Sequence, residues 1–555
     1  MKKFLVSLLT FVFALIILAG AGAGFFIYKK YSPSKELADQ SAWFGVSGDE
    51  VAIVWNQELQ GEADAKGRYI GGQVYLPIGW VNENLNERFY WDAENHQLIY
   101  TLPDSIVYAG ADSVGSSGAP LFVEQDDEVW LLNGLVLNYT DVRMQIFADS
   151  DVKRIFVDSD WHAERVAVVK KDEQVRVRGG IKSAVLTDIK VDDEVVVLEE
   201  LESWSRVRTA DGYLGYVQNK RLKNVEDRAL ISTFEAPVYT SISIEEPICL
   251  VWHQVTSKQA NKSMEKLIAN TKGVNIIAPT WFMLTDNEGN FESLAEQDYV
   301  DKAHALGLQV WAVLDNFNKG ENVQSEILFA STAARKKLIT DLIAEVEKFG
   351  LDGINLDIEG IKSSAGPHYV QFIRELSVDC RKLGIVLSID TYVPAGYNTF
   401  YNWAEQGRVA DYVIIMGYDE HYAGGEAGSV ASIGYERKGI EDMLEMVPRE
   451  KLVSGIPFYT RLWNVSEGEV TSTAMGIAAA KKWVEENDME LNWQEELGQY
   501  YGELAADDSK YYLWMEEEES ISRKVSLIDE YDLAGVACWK LGFEPAEIWD
   551  IVNPQ

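Results

Sequence analysis

Apolar positions along the chain fall into three successive rhythms, each predicting a different kind of element. Residues 4–28 carry no charge and are flanked by Lys2-Lys3 and Lys29-Lys30. A helix of that length spans about 37 Å, enough to cross a bilayer with some tilt. Two readings are open, an uncleaved anchor and a cleaved signal peptide. Ala19-Gly20-Ala21 offers the small residues a cleavage site uses, but the apolar run resumes at Phe25-Phe26-Ile27, which favours the anchor. The tail ahead of it is only Met1-Lys2-Lys3, so everything beyond Lys30 is expected on the extracellular side of the membrane.

The second rhythm is short β-rich runs broken by turns. Residues 31–42 are polar and read as a linker. Between 43 and 162 the runs include Val74-Tyr75-Leu76-Pro77, Trp91-Asp92 and Leu98-Ile99-Tyr100. A faint echo follows at Val129-Trp130-Leu131-Leu132 and Arg154-Ile155-Phe156-Val157. This stretch resembles the small N-terminal domain of bacterial copper amine oxidases, which recurs as a spacer in cell-wall proteins; no metal-ligand cluster accompanies it here. Residues 166–223 form another β unit, closed by Trp204-Ser205-Arg206-Val207-Arg208-Thr209 and Leu214-Gly215-Tyr216-Val217 around Asp211-Gly212. An Asp-Gly turn between alternating strands is a hairpin signal. The pattern resembles a bacterial Src-homology-3-like domain. That resemblance implies docking on peptidoglycan peptides, with a plain spacer as the other reading. Residues 224–246 read as a second linker.

The third rhythm occupies 247–551. Eight apolar, β-branched runs (248–255, 274–282, 310–316, 353–359, 386–393, 412–419, 452–459 and 535–541) alternate with helix-like segments, one of which stops at Gly350. Buried strands joined by crossovers predict an α/β fold, a (β/α)8 barrel. The gap at 461–534 is too long for one helix and predicts an inserted lobe beside the cleft. The expected architecture is therefore that barrel with its lobe, preceded by small all-β domains and an N-terminal transmembrane helix.

Composition narrows the function. Acidic residues number 88 against 50 basic, a net charge of −38, which argues against binding nucleic acid or holding anionic lipid electrostatically. The 17 Trp, 26 Tyr and 20 Phe suit a sugar-binding cleft. Cys249, Cys380 and Cys538 lie far apart in apolar runs and read as small buried hydrophobes. The chain has no His-Glu-x-x-His, no Cys-x-x-Cys and no phosphate loop, so no cofactor and no metal site is expected. His253 and His421, near strand ends, read as hydrogen-bonded wall residues. The acidic run 516–519 reads as a solvated edge.

Candidate chemistry sits in the fourth run, Leu351-Asp352-Gly353-Ile354-Asn355-Leu356-Asp357-Ile358-Glu359-Gly360. Alternate side chains of a strand share a face, so Asn355, Asp357 and Glu359 line up while Ile354, Leu356 and Ile358 face away. The row ends where a barrel strand meets its following loop, the face on which such barrels place their chemistry. Asp357 and Glu359 have α-carbons about 7 Å apart, close enough for their carboxyls to share a proton. Crowded like charges and burial push such a carboxyl toward its neutral form, the form that protonates a glycosidic oxygen.

Asp-Gly-x-x-x-Asp-x-Glu on a fourth barrel strand resembles glycoside hydrolase family 18, over about residues 247–551. Supporting segments are Ala278-Pro279-Thr280-Trp281-Phe282, Ala312-Val313-Leu314-Asp315-Asn316-Phe317, Met416-Gly417-Tyr418-Asp419-Glu420-His421 and Ile456-Pro457-Phe458-Tyr459, with Arg461, Trp463 and Trp539 beyond. The resemblance is to the branch that trims peptidoglycan in walls and spore cortex. It implies substrate-assisted, retaining hydrolysis with Glu359 as general acid and base, Asp357 steadying the 2-acetamido group, and Tyr418 bonding its carbonyl. It implies Asn355 among the substrate-binding residues, Trp539 as the floor of the site, and Asp419 and Glu420 as hydroxyl partners. Trp281, Asn316, Tyr459, Arg461 and Trp463 are implied at neighbouring subsites. Many chitinases of the family carry Asp where this chain has Asn355, which puts chitinase activity in doubt. The alternatives are a non-catalytic, lectin-like sugar-binding barrel or a chitinase. The expected partners are cell-wall glycan, peptidoglycan or a chitin-like oligosaccharide, and the membrane through the N-terminal helix.

Overall fold

The computed structural model describes residues 2–125, 128–317, 322–506 and 508–552. The chain divides into two compact units, the first Met1–Trp91, His96–Leu98 and Ala109–Ala236, the second Asp92–Asn95, Ile99–Tyr108 and Pro237–Gln555.

The first unit begins with the apolar helix Lys2–Tyr31, none of whose residues is buried by the rest of the chain. Its rise gives a length of about 45 Å. A mainly antiparallel sheet follows, centred on Glu50–Trp55, Lys66–Ile70, Gln73–Pro77 and Glu128–Leu132. The faint sequence echo has a structural counterpart. Gln73–Pro77 and Glu128–Leu132 pair antiparallel (Tyr75 opposite Leu132, Leu76 opposite Leu131), and each runs straight into a seven-residue helix, Ile78–Asn84 or Asn133–Tyr139. The second β unit is a seven-stranded antiparallel sheet from Glu164–Val169 to Leu222–Arg228. Its strands Trp204–Thr209 and Leu214–Gln218 form the hairpin read from Asp211-Gly212. Gly212 has φ +74°, and a β-carbon there would meet the Phe147 ring at 2.4 Å, so glycine is required twice over.

The second unit is a closed parallel barrel of eight strands: β1 Ile248–His253, β2 Ile276–Leu284, β3 Gln309–Asp315, β4 Gly353–Asp357, β5 Val386–Tyr392, β6 Tyr412–Met416, β7 Leu452–Pro457 and β8 Gly535–Trp539. Neighbours follow chain order, and β1 closes the ring by pairing with both β2 and β8. Alternation sorts the side chains. Ile248, Leu250, Trp252, Ile276, Ala278, Trp311, Val313 and Ile414 fill the interior, whereas Ile354, Leu356 and Ile358 pack outward under the helices. Cys249, Cys380 and Cys538 are buried and unpaired. Gly353 opens β4 because a β-carbon there would lie 2.8 Å from the Trp311 ring.

The lobe between β7 and β8 is a five-stranded antiparallel sheet (Tyr459–Ser466, Glu469–Gly476, Leu491–Gln494, Gln499–Ala506 and Ser509–Met515) with helix Ile477–Glu486 against one face. Helix Glu518–Tyr531, inside the span expected as insertion, is the barrel's own crossover to β8. The acidic run 516–519 is not a solvated edge as expected. Glu516 is fully buried, and Glu517 caps the helix by accepting from the Ser520 N–H at 3.0 Å. Composition suggested water, but a partner cation brought by the fold, Lys524, draws Glu516 inside.

Candidate active site

The polar row of β4 points into the barrel. Asn355 is fully buried, and its amide is fully used. It accepts from the Trp252 indole N–H (3.0 Å) and donates to Ser388 Oγ (2.9 Å) and Asp390 Oδ1 (2.8 Å). Asp357 lies one layer higher, also buried, and shares a hydrogen bond with Glu359. Its Oδ1 has no hydrogen-bond partner among the described residues. Glu359, just past the strand, is held by its backbone. Asn316 accepts from the Glu359 N–H (2.9 Å) and donates to the Glu359 carbonyl (2.7 Å). The Tyr392 hydroxyl bonds the Glu359 carboxylate and accepts from the Gly360 N–H at 3.1 Å.

Adjacent strands add two further acids. Asp315 ends β3 and stands beside Asp357 in the register, and Asp390 lies on β5. Burial drives Asp357 well above the usual carboxylate range, with Glu359, Asp390 and Asp315 adding to the shift. Burial likewise raises Asp390, partly offset by the bond from Asn355. Burial holds Asp315 up at about 6, against the Phe317 N–H that it accepts. Glu359 is also raised, chiefly by burial, while the hydrogen bonds from Tyr392 and Asp357 pull it back. The two carboxyls share one hydrogen bond, and burial raises both. Among the described residues no lysine or arginine forms an ion pair with any of these four acids.

The loop after β6 and the lobe complete the mouth. Burial raises the Tyr418 hydroxyl, with Asp390 and Asp357 adding to it, and its ring meets Tyr459 edge-on at 6.2 Å. Asp419, exposed and at φ 56°, accepts from the Tyr459 hydroxyl (2.6 Å) and pairs with Arg461 (3.4 Å). Trp539 is partly exposed at the end of β8. Its ring stands 6.0 Å from that of Trp252, the residue whose indole holds Asn355.

Comparison with known proteins agrees with this arrangement. Residues 318–544 match the family model described as Glycosyl hydrolases family 18, and residues 164–223 match Bacterial SH3 domain. The barrel is a glycoside hydrolase family 18 domain. Such domains are glycosidases, which hydrolyse glycosyl bonds. A relative named "Uncharacterized glycosylase YvbX", from Bacillus subtilis (strain 168), is 26% identical over 50% of this chain and 84% of its own length. "Cortical fragment-lytic enzyme" from the same organism is 25% identical over 41% of this chain; the match spans only 55% of that relative. The solved Bacillus cereus spore cortex-lytic enzyme SleL superposes with TM-score 0.51 and 18% identity, covering 60% of this chain and 79% of that one, a likeness of fold.

Within the family 18 domain, Glu359, Asp357, Tyr418, Asp419, Tyr459, Arg461 and Trp539 lie at the C-terminal mouth of the barrel, whereas Asn355, expected to bind substrate, is fully buried a layer below with its amide spent on Trp252, Ser388 and Asp390. Four further expected subsite residues do not present a free side chain there. Trp281 is 1% exposed and donates to Asn261 Oδ1; the parity of β2 turns Ala278 inward and Trp281 out among the helices. Trp463 is fully buried, its indole donating to the Gly428 carbonyl of the β6 loop that covers it. The Asn316 amide is spent on the Glu359 backbone. Glu420 accepts from the Ser432 N–H (2.8 Å) and hydroxyl (3.1 Å), where helix Ile433–Leu444 begins. Four residues went unread: Asp315, Ser388, Asp390 and Tyr392. Their signal was available, since Ser388, Asp390 and Tyr392 repeat on β5 the alternation of β4, and Asn355 and Ser388 are register partners. His253 is a wall residue bonded to Tyr299 and Ser263, and burial takes it down to about 4.

Proposed function

We propose that this protein is a membrane-anchored glycosidase that cleaves N-acetylglucosamine-containing peptidoglycan on the extracellular face by substrate-assisted, retaining hydrolysis. The observation that carries the reading is the row of buried acids at the barrel mouth: Asp357 on β4 with Glu359 just beyond it, flanked by Asp315 on β3 and Asp390 on β5, with no lysine or arginine ion-paired to these four among the described residues. A bound sugar's 2-acetamido N–H donates to Asp357, which favours its ionised form. The proton of Asp357 passes to Glu359 and arms it. Glu359 gives that proton to the glycosidic oxygen as the bond to the anomeric carbon breaks, and the acetamido oxygen bonds that carbon from the other side. Water then attacks the same carbon, Glu359 takes its proton, and the ring opens back to the acetamide with configuration retained. Tyr418 orients the acetamido carbonyl, and Trp539 lies beneath the sugar. The cortex-lytic names among the relatives support a wall glycan as substrate. The uncovered helix Lys2–Tyr31, with Lys29 and Lys30 in its last turn, supports the anchor. The Src-homology-3-like unit then serves as a wall-docking module.

The test is mass spectrometry of purified sacculi digested by wild type and Glu359→Gln. The wild type is expected to release fragments with new N-acetylglucosamine reducing ends, and the variant to release them about 10²–10⁴-fold more slowly. Equal release by both would end the acid role, and sugar binding without release by the wild type would favour the sugar-binding alternative.

A further inference from the structure

Behind the β6 loop, away from the four acids, lies a second buried charge cluster. Lys524 of helix Glu518–Tyr531 is fully buried and stands 3.5 Å from Glu516 and 3.6 Å from Glu436, both also fully buried. Lys524 donates to the Ala431 carbonyl at 2.6 Å. Glu516 accepts from Gln499 (2.5 Å) and from the Ser520 hydroxyl (2.7 Å). Gln499 in turn accepts from Ser429 (2.5 Å), whose oxygen accepts from the Ala431 N–H (3.0 Å). Neither carboxyl oxygen of Glu436 has a hydrogen-bond partner among the described residues. One cation serves two carboxyls, so their ionisation is unbalanced.

Position gives this cluster its interest. A β-carbon on Gly417 would lie 3.0 Å from the Glu436 side chain, so Glu436 packs directly behind the residue preceding Tyr418. Residues 429–431 close the loop that Tyr418 and Asp419 open, and Lys524 and Ser429 pin them. Gln499 belongs to the lobe, and the lobe's Leu497 carbonyl accepts from the Ile433 N–H at 3.0 Å, where the helix bearing Glu436 begins. Lobe, crossover helix and β6 loop meet on three side chains.

We propose that Glu436, Lys524 and Glu516 form a positioning cluster for Tyr418 and Asp419, coupling the seating of the lobe to the reacting face; this rests on the hydrolase reading of the site. The groups that face Glu436 are Lys524 on the crossover helix, Glu516 at the end of the lobe and Glu420 on the β6 loop, with Tyr435 beside it on its own helix. With Glu436 neutral, Lys524 balances Glu516. Burial holds Glu436 up at about 8. Its raised value stabilises the fold at low pH, and that contribution is lost as pH rises through about 8, where a second buried anion forms. The surplus charge loosens the loop, not the acid pair.

The experiment compares the full-length wild type with Glu436→Gln, an isosteric change that touches no sugar, and with Lys524→Met. Two readouts are taken at matched pH, turnover of a chito-oligosaccharide or muropeptide and backbone hydrogen exchange across 417–432. Between about pH 7 and 9 the wild type is expected to lose kcat about tenfold with KM nearly constant and to lose protection in 417–432, while Glu436→Gln keeps both. Lys524→Met is expected to lose that protection already at neutral pH. Coincident alkaline profiles and exchange for wild type and Glu436→Gln would overturn the proposal. If the wild type turns over no glycan at all, the hydrolase reading fails, and exchange alone still decides whether the cluster holds the loop.

Discussion

Two groups of buried carboxyls in the family 18 domain are treated oppositely. In the helical layer Glu375 and Glu405 are each matched by an arginine. Arg335 meets Glu375 through two parallel bonds of 3.0 Å and also donates to the Phe329 carbonyl, and Arg374 donates to Glu405 at 2.6 Å. At the barrel mouth Asp315, Asp357, Glu359 and Asp390 crowd together, and among the described residues no lysine or arginine forms an ion pair with them. A bidentate arginine satisfies a buried carboxylate and fixes its geometry. Unpaired acids instead hold protons, and a group that holds a proton near neutral pH is one that can deliver it. Burial is common to both places, and the presence or absence of a counter-ion separates a strut from a reagent.

That contrast is broken most severely by removing a cation from the matched region. Arg335→Met strands Glu375, and urea unfolding is expected to show a loss of roughly 3–5 kcal/mol, with turnover per folded molecule unchanged. A comparable loss of activity with stability intact would mean that the helical pair belongs to the site.

The opposite sign is expected at the mouth. Asp315 rests at about 6, above its ordinary 3.8, so its contribution to stability is complete below about pH 4 and lost as pH rises through 6. Asp315→Asn keeps the acceptor for the Phe317 N–H and removes the charge. It should therefore raise the unfolding free energy above pH 6 by roughly 2–3 kcal/mol, with the gain vanishing in acid. Thermal melts at both pH extremes measure this, and destabilisation at alkaline pH would show that Asp315 is paired after all. A control on the helix that carries Arg335 is smaller. Ser331 caps Thr332–Phe349 by accepting from the Ala334 N–H, and Ser331→Ala should cost about 1 kcal/mol with no pH dependence.

Legibility in the sequence followed the range of the interactions. All eight barrel strands were readable, because a buried parallel strand announces itself by an unbroken apolar run. The inward row of Asn355, Asp357 and Glu359 was readable by counting in twos. The same count, carried to β5, would have found Asp390 and Tyr392; carried to β2, it would have turned Trp281 away from the cleft. Other residues were beyond any local rule. Trp463 is hidden by a loop that starts some forty residues earlier, and Glu516 is drawn inside by Lys524, eight positions on but across a helix turn and a change of element. Aromatic identity suggested a surface for sugars, but only tertiary contact decides which rings are left uncovered.

Asn355 has a last consequence. Its side-chain nitrogen permanently donates to Ser388 and Asp390 and can neither take up nor release a proton at physiological pH. An aspartate there would open an inward route along which the proton of Asp357 could drain toward Asp390. In the proposed mechanism that amide would act as an insulator, confining proton traffic to Asp357 and Glu359.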